Sequence, residues 1–444
     1  MLAVLGFLTV IIMLALVMTK KASPTIALIG VPVITGIIAS FFSTGESAYS
    51  ILDLGGFVTS GIGTVASTGV MFIFSILFFG ILTDAGTFRP IIEKVLSIIG
   101  VDPIKIALGT AILAMIVHLD GSGAVTFLIC IPALLPVYDA VGMRKTTLAT
   151  IVALAAGTMN IVPWGGPTIR AATAMEMNVM DLFSPVIIPL VFGLITVLVI
   201  AFILGKKEKE RLGITKAKVD KVQLPELKDA EKELLRPHLF LVNVGLILLA
   251  VVGLIIGGKY GIKPEVVFMI SFVLAMVINY PEVAIQKARI DAHAKSAILM
   301  ASVLFAAGAF TGIMKGSGMI VAMSEALVSI IPSSVAKYFA LITGIISMPA
   351  SLLFDPDSFY FGVLPVLTST AKGFGIEGVS IARAAILGQM TTGFPVSPLT
   401  PSTFLLVGLA GVDFGEHQKK TIPFAFAVTI VMLIVAVAIG AIII

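Results

Sequence analysis

The sequence predicts an all-α polytopic membrane protein, folded as two inverted-topology repeats. Each repeat would hold about five spans, one re-entrant hairpin and one interrupted helix. Three observations carry this expectation. Apolar residues make up 58% of the 444-residue chain and charged ones only 12%, against roughly 45–50% and 25% in soluble domains. Apolar stretches of about 20 residues, the length that crosses a bilayer, recur on both sides of one long charged segment. The two halves also share short motifs in the same order.

In chain order, spans are expected at 2–19, 24–42, 64–84, 146–176, 184–204, 238–257, 264–280, 296–314, 380–411 and 421–444. Those at 146–176 and 380–411 are interrupted by Gly, Pro, Ser and Thr. Two further apolar stretches, 103–137 and 334–373, are broken centrally by polar residues, so each half would be a short helix meeting the other at a turn. The opening "MLAVLGFLTVIIMLALVMTKK" has no basic n-region and no small-residue cleavage site, and it reads as a retained first span. Residues 205–237 form the long hydrophilic stretch. Its acids and bases interleave and it has no aromatics, which argues for a solvated, partly helical linker and against nucleic-acid binding. The sole cysteine, Cys130, excludes an internal disulfide, and the four histidines are scattered rather than clustered for a metal. The chain therefore divides into a first repeat at 1–204, a linker at 205–237 and a second repeat at 238–444.

With the linker in the cytoplasm, Lys20, Lys21, Arg89, Lys94, Arg144, Lys145, Lys287, Arg289, Lys419 and Lys420 all fall inside, and both termini lie outside. The outer loops 43–63 and 177–183 contain no Lys or Arg, while Lys259 and Lys263 run against the bias. The count closes if 103–137 and 334–373 each leave on the side they entered, as re-entrant hairpins do. A pair of full spans would preserve parity as well.

The repeat is read from four matches. "GILTDAG" (Gly80–Gly86) pairs with "GIMKGSG" (Gly312–Gly318), and "LDGSG" (Leu119–Gly123) with "FDPDS" (Phe354–Ser358). "LPV" at Leu135 pairs with "LPV" at Leu364, and "AGTMNIVPWGGPT" (Ala156–Thr168) with "LGQMTTGFPVSPL" (Leu387–Leu399). An odd number of crossings per repeat inserts the second copy upside down. Unwound backbone inside a bilayer is tolerated only where it is buried in protein or lines a cavity. Helix N-termini there offer free N–H groups and partial positive charge to carboxylates or phosphates. This is the architecture of secondary transporters.

The candidate site residues lie at the two hairpin tips and the two breaks. Substrate contacts are expected from Gly121, Ser122, Gly123 and Thr126 at the first tip, and from Asn160, Gly165, Gly166, Thr168 and Arg170 at the first break. Ser358 at the second tip and Thr391, Ser397, Thr400 and Ser402 at the second break complete that set. Asp120, Asp355 and Asp357 are the candidate cation ligands, and Asp120, Asp355 and His118 the candidates for proton coupling. A charge inside a membrane costs roughly 2.5–3.5 kcal/mol on insertion scales and usually serves function. Simpler roles stand beside these. Asp120 and Asp355 would also cap the second helix of each hairpin, and the hydroxyls would serve helix–helix hydrogen bonding. Pro163, Pro167, Pro398 and Pro401 read as kink makers. Trp164 is either an interfacial anchor or a cavity wall, Arg170 either pairs with a carboxylate or snorkels, and His118 is either a satisfied polar residue or a proton carrier. Arg383 reads as structural, and Asp84 has no counterpart carboxylate in the second half.

Three aspartates at two tips would repel a polycarboxylate, whereas half-helix ends attract one. Both fit if the cargo is an anion carrying a divalent cation of the Mg²⁺ or Ca²⁺ type, which takes oxygen ligands. Both also fit if protons neutralise the carboxylates during loading. No permanently bound cofactor is called for. An enzyme is disfavoured, because the sequence offers no nucleophile–base or metal-ligand cluster and no extramembrane catalytic domain. A passive anion channel remains the alternative from another class.

The stretches "LDGSGAVTF", "MNIVPWGGPTIRA", "DPDSFYFGVLPVL" and "SPLTPSTFLLVGLAGVDFGEHQKKT", with "MLAVLGF" and "FGILTDAGTF", resemble the citrate–metal:proton symporter family (CitMHS) of the ion transporter superfamily. The resemblance covers nearly the whole chain. It implies uptake of citrate, or a similar polycarboxylate, as a divalent-metal complex with proton symport across the cell (plasma or inner) membrane. It also implies a scaffold and a transport domain moving as an elevator, in a homodimer within the lipid bilayer. A sodium-coupled di- or tricarboxylate carrier, or a proton antiporter, is the alternative reading within transporters.

Overall fold

Helices begin where the sequence supplies a cap. Ser23, Asp102, Asn178 and Asp413 each accept a hydrogen bond from a backbone N–H two or three residues on, and Pro24 and Pro103 follow two of them at the first helical position, where the missing N–H costs nothing. The computed structural model describes residues 1–19, 21–43, 48–91, 93–94, 100, 102–213, 229–257 and 260–443. Residues 214–228 of the charged linker lie outside the described residues, as do Lys20 and Lys259.

The first half comprises α1 (Leu2–Met18), α2 (Pro24–Ser40), α3 (Asp53–Asp84), α4 (Pro103–Val117), α5 (Gly123–Val141), α6 (Lys145–Met159), α7 (Gly166–Ala174) and α8 (Ile187–Leu212). The second comprises α9 (Phe240–Gly257), α10 (Pro264–Asn279), α11 (Val283–Gly316), α12 (Met319–Ile330), α13 (Phe339–Ala350), α14 (Leu364–Gly373), α15 (Gly378–Ile386), α16 (Pro401–Ala410) and α17 (Phe414–Ala438). Among the described residues there is no strand, and seven helices are long and apolar enough to cross a membrane. On α8 the residues Ile188, Val191, Phe192, Ile195, Val199 and Phe202 are exposed. Their three- and four-residue spacing makes one apolar face, suited to lipid.

Two assemblies of helices meet around the interior. In one, α3 and α11 run antiparallel along their lengths, with α10 against α3 and α2 against α11. In the other, α4 and α5 pack on α6, α13 and α14 both pack on α15, and α8 and α17 close around α6. Helix α7 touches α3 and α11 and so bridges the two. From Thr147 to Met159, α6 is entirely buried, and its Ala, Gly and Thr residues let other backbone come close.

The sequence-based boundaries shift in four places. Helix α3 begins at Asp53 rather than 64, so most of the expected outer loop is helical. Its glycines are poor helix formers by propensity, but Gly61 lies against the backbone of α11, where a methyl would stand 2.0 Å from the Gly308 carbonyl oxygen. Tertiary contact overrides propensity there. Helix α11 begins at Val283 rather than 296, because its polar first turns extend beyond the apolar window. Helix α8 continues into the charged stretch as far as Leu212. Helix α12, not counted among the spans, starts after Gly318 in the left-handed region (φ 74°) and buries Met319 and Met323, the latter against Gly6 of α1.

The α3–α11 contact gives a direct test. Gly61→Val is expected to abolish monodisperse, thermally stable protein, since overpacking against backbone costs about 1–3 kcal/mol or more. Gly63→Ala, with nothing within 4 Å of the added methyl, is expected to leave stability unchanged in the same size-exclusion and melting assays.

Candidate functional site

The interior between the two assemblies holds a cavity of about 400 Å³. One wall comes from α3 and α11, through Phe72, Ser75, Phe79, Gly80, Thr83, His293 and Ser296. The other comes from the first hairpin tip and the two helix breaks.

At the first tip, α4 tightens into a 3-10 turn at His118–Asp120, and Gly121 then reverses the chain in the left-handed region (φ 76°). A side chain at 121 would meet that backbone strain and the Trp164 ring 3.4 Å away. Ser122 caps α5 by accepting from the Val125 N–H, and Asp120 Oδ1 accepts from the Ser122 N–H at 2.8 Å. Asp120, Gly121, Ser122 and Gly123 all line the cavity.

The first break runs from Asn160 to Gly165, and side-chain hydrogen bonds tie it to its surroundings. Thr168 Oγ1 donates to the Ile161 carbonyl at 2.7 Å, and Trp164 Nε1 donates to the Leu119 carbonyl at 2.7 Å, tying the break to the hairpin tip. The Trp164 ring packs on Phe79 and Phe268 and lines the cavity, so it is a wall residue. The second break, between α15 and α16, is treated the same way. Tyr360, Asn160, Thr403, His417 and Gln418 reach the carbonyls of Gln389, Met390, Phe394, Pro395 and Val396 at 2.6–2.8 Å. Met390 is held with φ 51°, an uncommon value for a residue with a side chain. Its N–H donates to Ser351 Oγ and its carbonyl accepts from Asn160, so both ends of the strained unit are fixed.

The starts of three helices line this one space, and the first N–H groups of a helix have no carbonyl partner within it. Ser122 to Val125 belong to α5, Gly166 and Pro167 to α7, and Thr400 and Ser402 to the start of α16, and all of them line the cavity. Arg170 joins them from α7. Its Nε donates to Asp357 Oδ1 at 2.7 Å in a buried ion pair, and its Nη1 occupies the space a side chain on Gly166 would need, 2.6 Å from that methyl position.

The expected residues thus separate into two groups. Asp120, Gly121, Ser122, Gly123, Asn160, Gly166, Arg170, Thr400 and Ser402 surround the cavity. The others do not line it. His118 is fully buried with its Nδ1 2.8 Å from Thr126 Oγ1, and Gly165 forms the tight turn against the Asn160 carbonyl. Ser397 accepts from the Leu399 N–H, and Thr391 is fully buried. Asp355 accepts from the N–H groups of Asp357 and Ser358 and from the Ser358 hydroxyl, as a helix cap does. Of the three candidate cation ligands, Asp120 alone faces the cavity, with Pro356 lining it between the other two. Among the described residues no group of three or more His, Cys, Asp or Glu side chains comes together. Arg383 donates to the carbonyls of Asp181 and Ala441, a structural tie.

The sequence pointed to nothing on the α3–α11 wall except Asp84, whose Oδ2 stands 2.8 Å from His293 Nε2 and 3.2 Å from Arg289 Nη1. The available signal was "GILTDAG", whose first glycine faces His293.

The profile of a family described as citrate transporter, CitMHS, matches residues 2–388. A Bacillus subtilis (strain 168) protein named citrate transporter is 43% identical over 99% of this chain and 99% of its own length. Another from the same strain, named Mg(2+)/citrate complex secondary transporter, is 40% identical over 100% of this chain and 99% of its own. Among solved structures, that of the Alcanivorax borkumensis YdaH transporter, described as having an unusual topology, superposes with a TM-score of 0.64. It covers 95% of this chain and 99% of its own at 15% identity, a likeness of fold. The chain is a multi-pass membrane protein and a transporter rather than an enzyme, and it belongs to the citrate transporter (CitMHS) family.

Proposed function

We propose that the protein is a secondary active transporter that imports citrate, or a similar polycarboxylate, as its complex with a divalent cation and in symport with protons. The observation that carries this reading is one cavity receiving three helix N-termini, Arg170 and the carboxylate of Asp120. The N-termini and the guanidinium suit carboxylates. Asp120 would repel a bare polycarboxylate but suits a chelated cation. Mg²⁺ keeps several waters and binds one or two protein carboxylates, so a citrate complex needs little more from the protein than Asp120. The name of the Mg(2+)/citrate relative, 40% identical end to end, supports Mg²⁺ as that cation.

In this reading Gly121, Ser122, Gly123, Asn160, Gly166, Arg170, Thr400 and Ser402 receive the carboxylates through side chains and helix-end N–H groups. Asp120 takes the cation and, with Asp355 and His118, is a candidate for proton coupling. Asp357 holds Arg170 in place. Residues 1–204 and 238–444 are two inverted repeats joined by a cytoplasmic linker, with both termini outside. The order of long helix, helical pair, broken helix and closing helix occurs twice (α3–α8 and α11–α17), with α12 as an additional helix after the long one in the second half, and the antiparallel course of α3 and α11 supports that reading. The α3–α11 assembly would be the scaffold of a homodimer and the hairpin assembly its moving elevator.

Labelled-citrate uptake in proteoliposomes across a panel of divalent cations, with and without a proton gradient, tests the reading. Accumulation that needs both a cation and the gradient is expected. Sodium-driven, metal-independent uptake would point to a sodium-coupled carrier, and non-accumulating flux to a channel. Asp120→Asn is expected to lose cation-dependent uptake while keeping a wild-type melting profile. Arg170→Met strands a buried carboxylate, at a cost of about 3–5 kcal/mol. Adding Asp357→Asn is expected to restore the melting temperature without restoring uptake.

A further inference from the structure

The α3–α11 wall of the cavity carries a basic side chain of its own. His293, from α11, lines it. Its Nε2 faces Asp84 Oδ2 at 2.8 Å, and Arg289, one turn away, donates to the same oxygen at 3.2 Å. Two half-buried basic side chains thus share one carboxylate.

The ring occupies a space made for it. A methyl built on Gly80 of α3 would stand 2.7 Å from His293 Cε1 and Nδ1 and 2.8 Å from Cγ, with the ring supplying its three nearest atoms. Gly80 and Gly166 are therefore alike. Each is a cavity-lining glycine whose missing side chain is replaced by a basic group, His293 in one case and Arg170 in the other. His293 belongs to α11 and Arg170 to α7, so the two groups reach the cavity from different helices. The Asp84–His293–Arg289 cluster would otherwise be a plain tie between α3 and α11. A tie needs no access to the cavity, and the glycine-packed backbones already hold the two helices together.

We propose that His293 is a substrate-contacting residue that receives a carboxylate of the polycarboxylate cargo from the α3–α11 wall, held in place by Asp84 and by the space at Gly80. This rests on the citrate reading above. Arg170 and the helix ends take the cargo from one side and His293 takes it from the other, so a molecule with several carboxylates is favoured over one with a single carboxylate.

The test is initial-rate uptake of labelled citrate with Mg²⁺ in proteoliposomes, with citrate-dependent thermal stabilisation of the same preparations. His293→Ala is expected to raise KM about tenfold or more, keep kcat within about threefold of wild type and remove most of the thermal shift. Gly80→Ala, whose methyl meets the His293 ring first, is expected to move KM in the same direction by several-fold, and His293→Gln to fall between. If His293→Ala proves unstable, Gly80→Ala decides. An unchanged KM in Gly80→Ala and His293→Ala, or a loss of kcat alone, overturns the assignment and leaves the cluster as a tie. A wild-type protein that takes up no citrate with any cation overturns the parent reading itself.

Discussion

Backbone that leaves helical geometry within an apolar interior must find its hydrogen-bond partners in the protein itself. That constraint organises this molecule. Residues 160–165 and 387–400 are not regular helix, and the side chains that serve them come from across the fold. Thr168 reaches back to Ile161, Tyr360 reaches Gln389, His417 and Gln418 reach Pro395 and Val396, and Thr429 reaches Leu387. The breaks also serve each other through Asn160 and Met390. Because the carbonyls are answered by dedicated donors, the helix N-termini beside them are left to face the cavity.

Charge follows the same logic. Asp355 is consumed by capping its own tip, and Asp357 by Arg170. With both carboxylates engaged there, Asp120 is the acidic group lining the cavity, beside the helix starts. The balance is anion-binding with one carboxylate's worth of provision for a cation. On the proposed function, a free tricarboxylate or a free cation would satisfy half of this site, and their complex both halves.

The legible part of the site was polar residues interrupting apolar runs. "LDGSG", "NIVPWGGPT" and the stretch from Gln389 to Thr403 stood out because such residues are costly in lipid, and residues from all three surround the cavity. Which of them face it was not legible. Thr168 and Thr400 look alike in sequence, yet Thr168 answers a carbonyl while Thr400 lines the cavity. Asp120 and Asp355 occupy matching positions in the two halves, but only one looks into the space. The α3–α11 wall was hidden for a different reason. Phe72 to Thr83 lie within an expected apolar span with no polar break to mark them, His293 lies just before the span expected at 296–314, and backbone contact at Gly61 and Gly308 is visible only once the helices are side by side.

The central claim is that the cation of the cargo sits at Asp120, between the helix N-termini that hold its anion. Anomalous scattering from crystals grown with Mn²⁺ and citrate addresses it directly. The account predicts a manganese peak about 2.0–2.6 Å from an Asp120 carboxylate oxygen, with citrate density extending toward Arg170 and the start of α7. A peak at Asp355 or Asp357 with Asp120 bare, or citrate density without metal, would contradict it.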